Sequence, residues 1–270
     1  MRSNSSKTAV VTGASSGIGK ASAEALAQAG YTVFGTSRRP GIGSNRVTMR
    51  ECDVTDDASV QALISSVLLR TGRIDVLVNN AGLGLFGGAE ESSIGQVKDL
   101  FDVNFFGTAR VTNAALPAMR QRGRGRIINI SSILGLIPAP YSAYYAATKH
   151  ALEGYSESLD HELRAFNIRV SLIEPAYTRS VFDRNALKPD AQLNEYDQAR
   201  AGTDALLKDV MPKADPPELV ADVVLRAATD RNPRRRYTAG EVARQINLLR
   251  RFAPASMFDR TLRKELRLPA

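Results

Sequence analysis

Strand-forming runs at 8–12, 31–36, 47–52, 74–78, 126–130 and 168–173 alternate with helix-forming stretches at 21–29, 56–70, 94–119 and 142–166. Strands apolar on both faces, such as Val76-Leu77-Val78 and Ile127-Ile128, need cover on two sides. Helices that alternate with them supply it, which predicts an α/β fold with a parallel sheet between two helical layers. Leu152, Tyr155, Leu159, Leu163 and Phe166 recur at helical spacing within 142–166. A further helix is expected at 219–229 and a last strand at 236–239. Residues 178–217 have weak periodicity and include Pro189, Pro212, Pro216 and Pro217. They are read as an insertion covering a site. With 270 residues, 43% of them hydrophobic, and no internal repeat, one domain can bury a sizeable core.

Composition removes several function classes. A single cysteine, Cys52, excludes an intramolecular disulfide framework and fits a reducing, cytoplasmic setting. It is read as a small buried residue. With His150 and His161 as helix-face residues, no metal cluster is expected. The longest uncharged run, 127–148, carries Asn129, Ser131, Ser132, Pro138 and Pro140, so it is no membrane span. Arg2 and Lys7 are followed by no apolar leader, so a secretory signal is not expected.

Net charge is +8, and residues 231–270 carry all of it, with 11 basic groups against Glu241, Asp259 and Glu265. A neutral body with a basic end argues against a nucleic-acid protein, and the end lacks interleaved aromatic platforms. Val242, Ile246, Leu249 and Phe252 recur at helical spacing among Arg244, Arg250 and Arg251. Two readings stay open: a helix packed on the body with a charged outer face, which is favoured, or an amphipathic surface meeting anionic lipid or a partner.

Thr12-Gly13-Ala14-Ser15-Ser16-Gly17-Ile18-Gly19 lies between a strand and a helix. Its glycines let the backbone approach a pyrophosphate, and the helix start offers N–H donors and a positive dipole end. A sheet of this kind with such a loop is a doubly wound Rossmann fold. About twenty residues further on, an acid would bind a ribose 2′-hydroxyl. Here stand Ser37-Arg38-Arg39 and no acid. A guanidinium pairs a 2′-phosphate bidentately, so NADP(H) is favoured over NAD(H).

Tyr141, Tyr144 and Tyr145 crowd together, and only Tyr145 has a lysine four residues on, Lys149. Residues i and i+4 share a helix face. An ammonium there is expected to lower the phenol's pKa and suit it to general acid–base work. Ser131 and Ser132 end one strand, and Asn79-Asn80-Ala81-Gly82 ends another, at the sheet edge where ligands bind. Asn104 is a polar amide inside a helix.

On these residues the chain resembles the classical short-chain dehydrogenase/reductase family over about 7–180. The run from Tyr145 to Gly154 is similar to the branch with 17β-hydroxysteroid and retinol dehydrogenases. The resemblance implies a catalytic set of Asn104, Ser132, Tyr145 and Lys149. Tyr145 would exchange a proton with the substrate oxygen, and Ser132 would polarise the carbonyl. Lys149 would hold the nicotinamide ribose, and Asn104 would anchor a water linking the lysine to solvent. Gly13, Ser15, Ser16, Gly17, Ile18 and Gly19 would bind the cofactor with Ser37, Arg38 and Arg39. Asp53 and Val54 would contact adenine, and Asn80, Ala81 and Gly82 would line the adenosine ribose. Pro175 and Thr178 would face the nicotinamide. Ala176 departs from the glycine usual after that proline.

The implied reaction is reversible hydride transfer between a nicotinamide and a carbonyl or carbinol carbon, with no metal. Leu85, Phe86, Leu134, Leu136, Ile137, Tyr141, Tyr177, Val181 and Phe182 are expected to line an apolar pocket for a small lipophilic alcohol, aldehyde or ketone. Family likeness also implies a homodimer or homotetramer. The competing reading is a non-catalytic NADP-binding sensor on the same fold.

Overall fold

Successive side chains of each strand leave the sheet on opposite faces, and here both faces are apolar. The computed structural model describes residues 6–39, 41 and 46–268, so Arg2 lies outside them. Among them the strands are β1 (Thr8–Val11), β2 (Thr32–Ser37), β3 (Val47–Glu51), β4 (Val76–Asn79), β5 (Gly125–Ile130), β6 (Ile168–Pro175) and β7 (Arg236–Ala239). They form one sheet in the order β3-β2-β1-β4-β5-β6-β7, with every neighbouring pair parallel.

The helices are α1 (Gly17–Gln28), α2 (Asp57–Thr71), α3 (Ile94–Phe101), α4 (Gly107–Gln121), α5 (Ala143–Leu163), α6 (Asp197–Val210), α7 (Pro217–Thr229), α8 (Glu241–Phe252) and α9 (Ala255–Glu265). Ala9 and Val11 of β1 pack with Leu26 of α1 and Val224 of α7 in one buried core. Val10 points the other way, into a second core with Ile64 of α2, Val111 of α4 and Leu159 of α5. This is the doubly wound Rossmann architecture. Strand order reverses between β1 and β4, which opens a crevice at the strands' carboxyl ends.

Four local departures from the sequence reading have physical causes. α1 begins at Gly17, earlier than expected, so the last three residues of the glycine loop are already helix. The stretch 94–119 is interrupted by a π-helical turn, Asp102–Phe106, which carries Asn104. α6 lies in the segment read as irregular; none of its residues is buried, so its apolar positions form no core stripe. α9 was likewise unexpected, with Phe258 alone buried. No helix among the described residues is long and apolar enough to cross a membrane.

Candidate active site

At the carboxyl ends of β1, β2, β4, β5 and β6 lies a cavity of about 1360 Å³. Gly13, Ser15, Ser16, Gly17 and Ile18 form its wall at the α1 end, beside Ser37 and Arg38 at the end of β2. Asp53, Val54, Asn80, Ala81 and Gly82 continue the wall. Ser132, Tyr145, Lys149, Pro175 and Thr178 line the same cavity.

Three expected site residues stand off the wall. Arg39 is exposed and does not line the cavity. Gly19 serves packing: a Cβ there would sit 2.3 Å from the Gly13 carbonyl oxygen and 2.3 Å from Asn80 Nδ2. Asn104 is buried; its Oδ1 accepts from Leu83 N at 2.8 Å, and its Nδ2 donates to Leu83 O at 2.9 Å and Thr148 Oγ1 at 3.1 Å. That amide ties the segment after β4 to α5, which is a positioning place.

The loop after β1 is tied to the segment after β4 by hydrogen bonds that build a cradle on the cavity wall. Thr12 Oγ1 accepts from the backbone N–H of Asn80 at 2.9 Å and of Ala81 at 3.0 Å. Asn80 Nδ2 donates to the carbonyls of Thr12 and Gly13, at 3.0 and 3.1 Å. Gly13 has φ +64°, and a Cβ there would meet Ala81 Cα at 2.9 Å. The start of α1 is thereby held open to the cavity, where its free N–H groups suit an anion. The hydroxyl of Ser37, on the cavity wall, is buried with no hydrogen-bond partner among the described residues, which suits it to a ligand. Thr55 N–H and then Thr55 Oγ donate to the Asp53 carboxylate and hold it below the usual range, so it stays an acceptor. These residues fit a dinucleotide. Gly19→Ala is expected to overpack this cradle and cost about 1–3 kcal/mol of stability, read by denaturant unfolding.

The chemical end is tightly enclosed. Tyr145 lies between Phe86 and Phe182, with ring centroids 6.3 and 5.6 Å away. Ser132 caps the short turn Ile133–Gly135, accepting from Leu134 N at 3.1 Å. Burial raises the Tyr145 phenol well above its ordinary pKa, partly opposed by a hydrogen bond with Ser132. The depression expected from Lys149 does not prevail. Lys149 Nζ donates to the Ile130 carbonyl at 2.9 Å and lies 5.6 Å from the Tyr145 ring centroid. Burial pulls its pKa down to about 8, with the charge of Glu153 opposing.

Behind this site lies a charged cluster that the sequence reading did not single out. Arg236 of β7 lies 2.6 Å from Glu153 Oε2 and donates to Glu174 Oε1 at 2.9 Å and Glu157 Oε1 at 3.1 Å. Glu153 is one helical turn from Lys149 and accepts from the Ser131 hydroxyl, next to Ser132. Glu174 precedes Pro175. Burial, reinforced by Glu174, pushes the Glu153 carboxyl up to about 7. A carboxylate in mid-helix four residues after the lysine was the available signal.

Around and beyond Tyr145 the cavity is lined largely by apolar side chains, with Asp183, Gln245 and Glu265 set among them. Phe86, Leu134, Ile137, Tyr141, Tyr177, Val181 and Phe182 line it as expected. Leu85 and Leu136 do not; Leu85 is buried and bridges to Leu187. Residues 178–217, expected to cover the site, do contribute an outer wall through Leu206, Leu207 and Val210 of α6, although these side chains were not singled out; Ile246 and Leu249 of α8 and Phe258 and Leu262 of α9 were not expected there.

A sequence profile described as short chain dehydrogenase matches residues 7–191, more than half of the chain. The chain belongs to the short-chain dehydrogenase family. Members are oxidoreductases acting on alcohols or carbonyl groups. This short-chain dehydrogenase is 42% identical over 189 residues to a 3-ketodihydrosphingosine reductase of Bacteroides thetaiotaomicron, covering 69% of this chain and 70% of the relative. It is 39% identical over 196 residues to retinol dehydrogenase 8 of Homo sapiens, covering 67% and 62%. A metagenomic short-chain oxidoreductase in complex with NADP superposes with a TM-score of 0.68 at 30% identity, covering 87% of this chain and 98% of that one. A short-chain dehydrogenase/reductase from Burkholderia phymatum in complex with NAD gives 0.79 at 27% identity, covering 100% and 98%. Solved relatives thus hold either nicotinamide cofactor.

Proposed function

We propose that this short-chain dehydrogenase is an NADP-dependent oxidoreductase that interconverts a lipophilic carbonyl compound and its alcohol. The observation that carries the reading is convergence: Ser132, Tyr145 and Lys149 share one cavity with the glycine cradle, and apolar side chains make up much of the rest of its lining. A nicotinamide cofactor held by the glycine cradle would supply hydride to, or accept it from, the substrate carbon. Ser132 Oγ–H donates to the substrate oxygen and fixes its position. In reduction the Tyr145 phenol, which burial keeps protonated, gives its proton to that oxygen as negative charge develops there; in oxidation it takes the proton back. Lys149 places a positive charge beside the phenol. Phe86 and Phe182 exclude water around the hydroxyl.

Arg38 is the cofactor selector in this reading, since it lines the cavity where β2 ends and an acid is missing. Arg38→Asp removes a guanidinium from a phosphate and adds a repelling charge. Hydrogen bonds to charged groups are worth about 1.5–3 kcal/mol, so NADP(H) preference should fall about ten- to hundredfold. Measuring kcat/KM with both cofactors checks this; an unchanged ratio removes Arg38 from the role.

The names of two relatives, a keto-compound reductase and a retinol dehydrogenase, correspond to the two directions of this reaction. The test is nicotinamide oxidation and reduction across lipophilic ketones, aldehydes and alcohols. Binding of NADP(H) with silence across the panel would favour the sensor reading. A homodimer or homotetramer is the assembly we assign, to be read by light scattering.

A further inference from the structure

The helices α8 and α9 have two apolar sides, and only one of them faces the protein. Ile246 and Leu249 of α8, with Phe258 and Leu262 of α9, line the cavity. Away from it, Leu248 is 49% exposed, Phe252 72% and Met257 51%. On α8, Leu248, Arg251 and Phe252 stand at i, i+3 and i+4, with Arg244 one turn earlier, so apolar and cationic groups share a face. On α9, Met257 and Arg260 stand at i and i+3 with Lys264 one turn further on, and Asp259 falls on the opposite side. Arg250 stacks on the Phe258 ring at 5.2 Å and holds the two helices together.

Charge decides what such a face fits. α8 and α9 together carry six basic residues against Glu241, Asp259 and Glu265, a net charge of +3. Arg244 pairs with Glu241 and Arg267 with Asp209, both at the surface. No ion pair is formed by Arg251, Arg260 or Lys264 among the described residues. Exposed aromatic and aliphatic groups flanked by cations are the make-up of a helix that lies at the headgroup level of an anionic bilayer. Continuity with the cavity adds a second argument. Val242 of α8 is 48% exposed and also lines the cavity, so this helix borders both cavity and solvent.

We propose that α8 and α9 dock this protein on an anionic membrane surface, with the cavity mouth turned toward the lipid. A lipophilic substrate then passes between bilayer and cavity without crossing water. The purpose rests on the proposed function, whereas the docking is tested without turnover. The full-length protein is sedimented with vesicles of phosphatidylcholine alone or of phosphatidylcholine mixed with phosphatidylglycerol. Binding is expected to the mixed vesicles, weakening as salt rises. Phe252→Asp should weaken it about tenfold or more, and Arg251→Glu should weaken it severalfold. Both positions are exposed, so thermal unfolding should stay unchanged and confirm a folded variant. Equal or absent binding of the wild type to both vesicles overturns the proposal. So does full binding by folded Phe252→Asp, or a dimer that this substitution splits, which would make the face a contact between copies. Loss of turnover with intact vesicle binding would instead count against the proposed function alone.

Discussion

Tyr145→Phe is expected to lower kcat by about 10²–10⁴-fold while leaving NADP(H) affinity nearly unchanged. The substitution removes one oxygen and keeps the ring that packs between Phe86 and Phe182. Its hydroxyl is the proton donor of the proposed reaction, placed by burial and by Ser132. The cradle for the cofactor is assembled elsewhere, from Thr12, Gly13 and Asn80, and does not depend on the phenol. Lys149 sharpens the test. Its pKa of about 8 means that the ammonium is lost as pH rises through that value, which removes positive charge from beside the phenol. Wild-type reduction should therefore decline above about pH 8, and the residual rate of Tyr145→Phe should not follow that decline. Wild-type rates in the phenylalanine variant would end the assignment of Tyr145.

The fold was largely legible because its signals are local. Strands such as Ile127-Ile128 show two apolar faces, and glycine spacing shows a strand–loop–helix turn. Most residues lining the cavity at this end were legible for the same reason: they cluster in sequence just after β1, β2 and β4. Gly19 shows the limit of that reasoning, since only the structure shows that its missing Cβ makes room for Asn80 and the Gly13 carbonyl. The phenol's pKa went the other way because a sequence shows the neighbour at i+4 and not the burial that outweighs it. That 178–217 covers a site was read, but the individual wall residues it supplies were hidden for another reason. Leu206, Leu207 and Val210 face an open space, so their helix lacks the buried stripe by which a helix is recognised. Arg236 was invisible as well, because β7 meets α5 only in three dimensions.

Replacing Arg236 by methionine should destabilise the protein by about 3 kcal/mol at pH 8, and by clearly less at pH 5. Removing one partner of a buried ion pair costs about 3–5 kcal/mol, because the other charge stays buried without compensation. Arg236 faces Glu153 and Glu174, which are 4% and 0% exposed, so the loss falls on two carboxylates. Buried carboxyls escape part of the penalty by taking up a proton, which places the expected cost at the low end. The pH dependence follows from linkage. Burial, then the charge of Glu174, already raises Glu153 above its unfolded value, to about 7. Its contribution to stability is full below about pH 4.5, the unfolded value, and is lost as pH rises through the folded one. Without the guanidinium both folded values rise further, so the loss extends to higher pH and the variant falls increasingly behind the wild type. Glu153→Gln in the same background should flatten this slope, since an amide holds no titrating proton. Urea unfolding at the two pH values measures it. A deficit equal at both would show that Arg236 acts through packing of its aliphatic stem and not through the carboxylates behind Ser131 and Pro175.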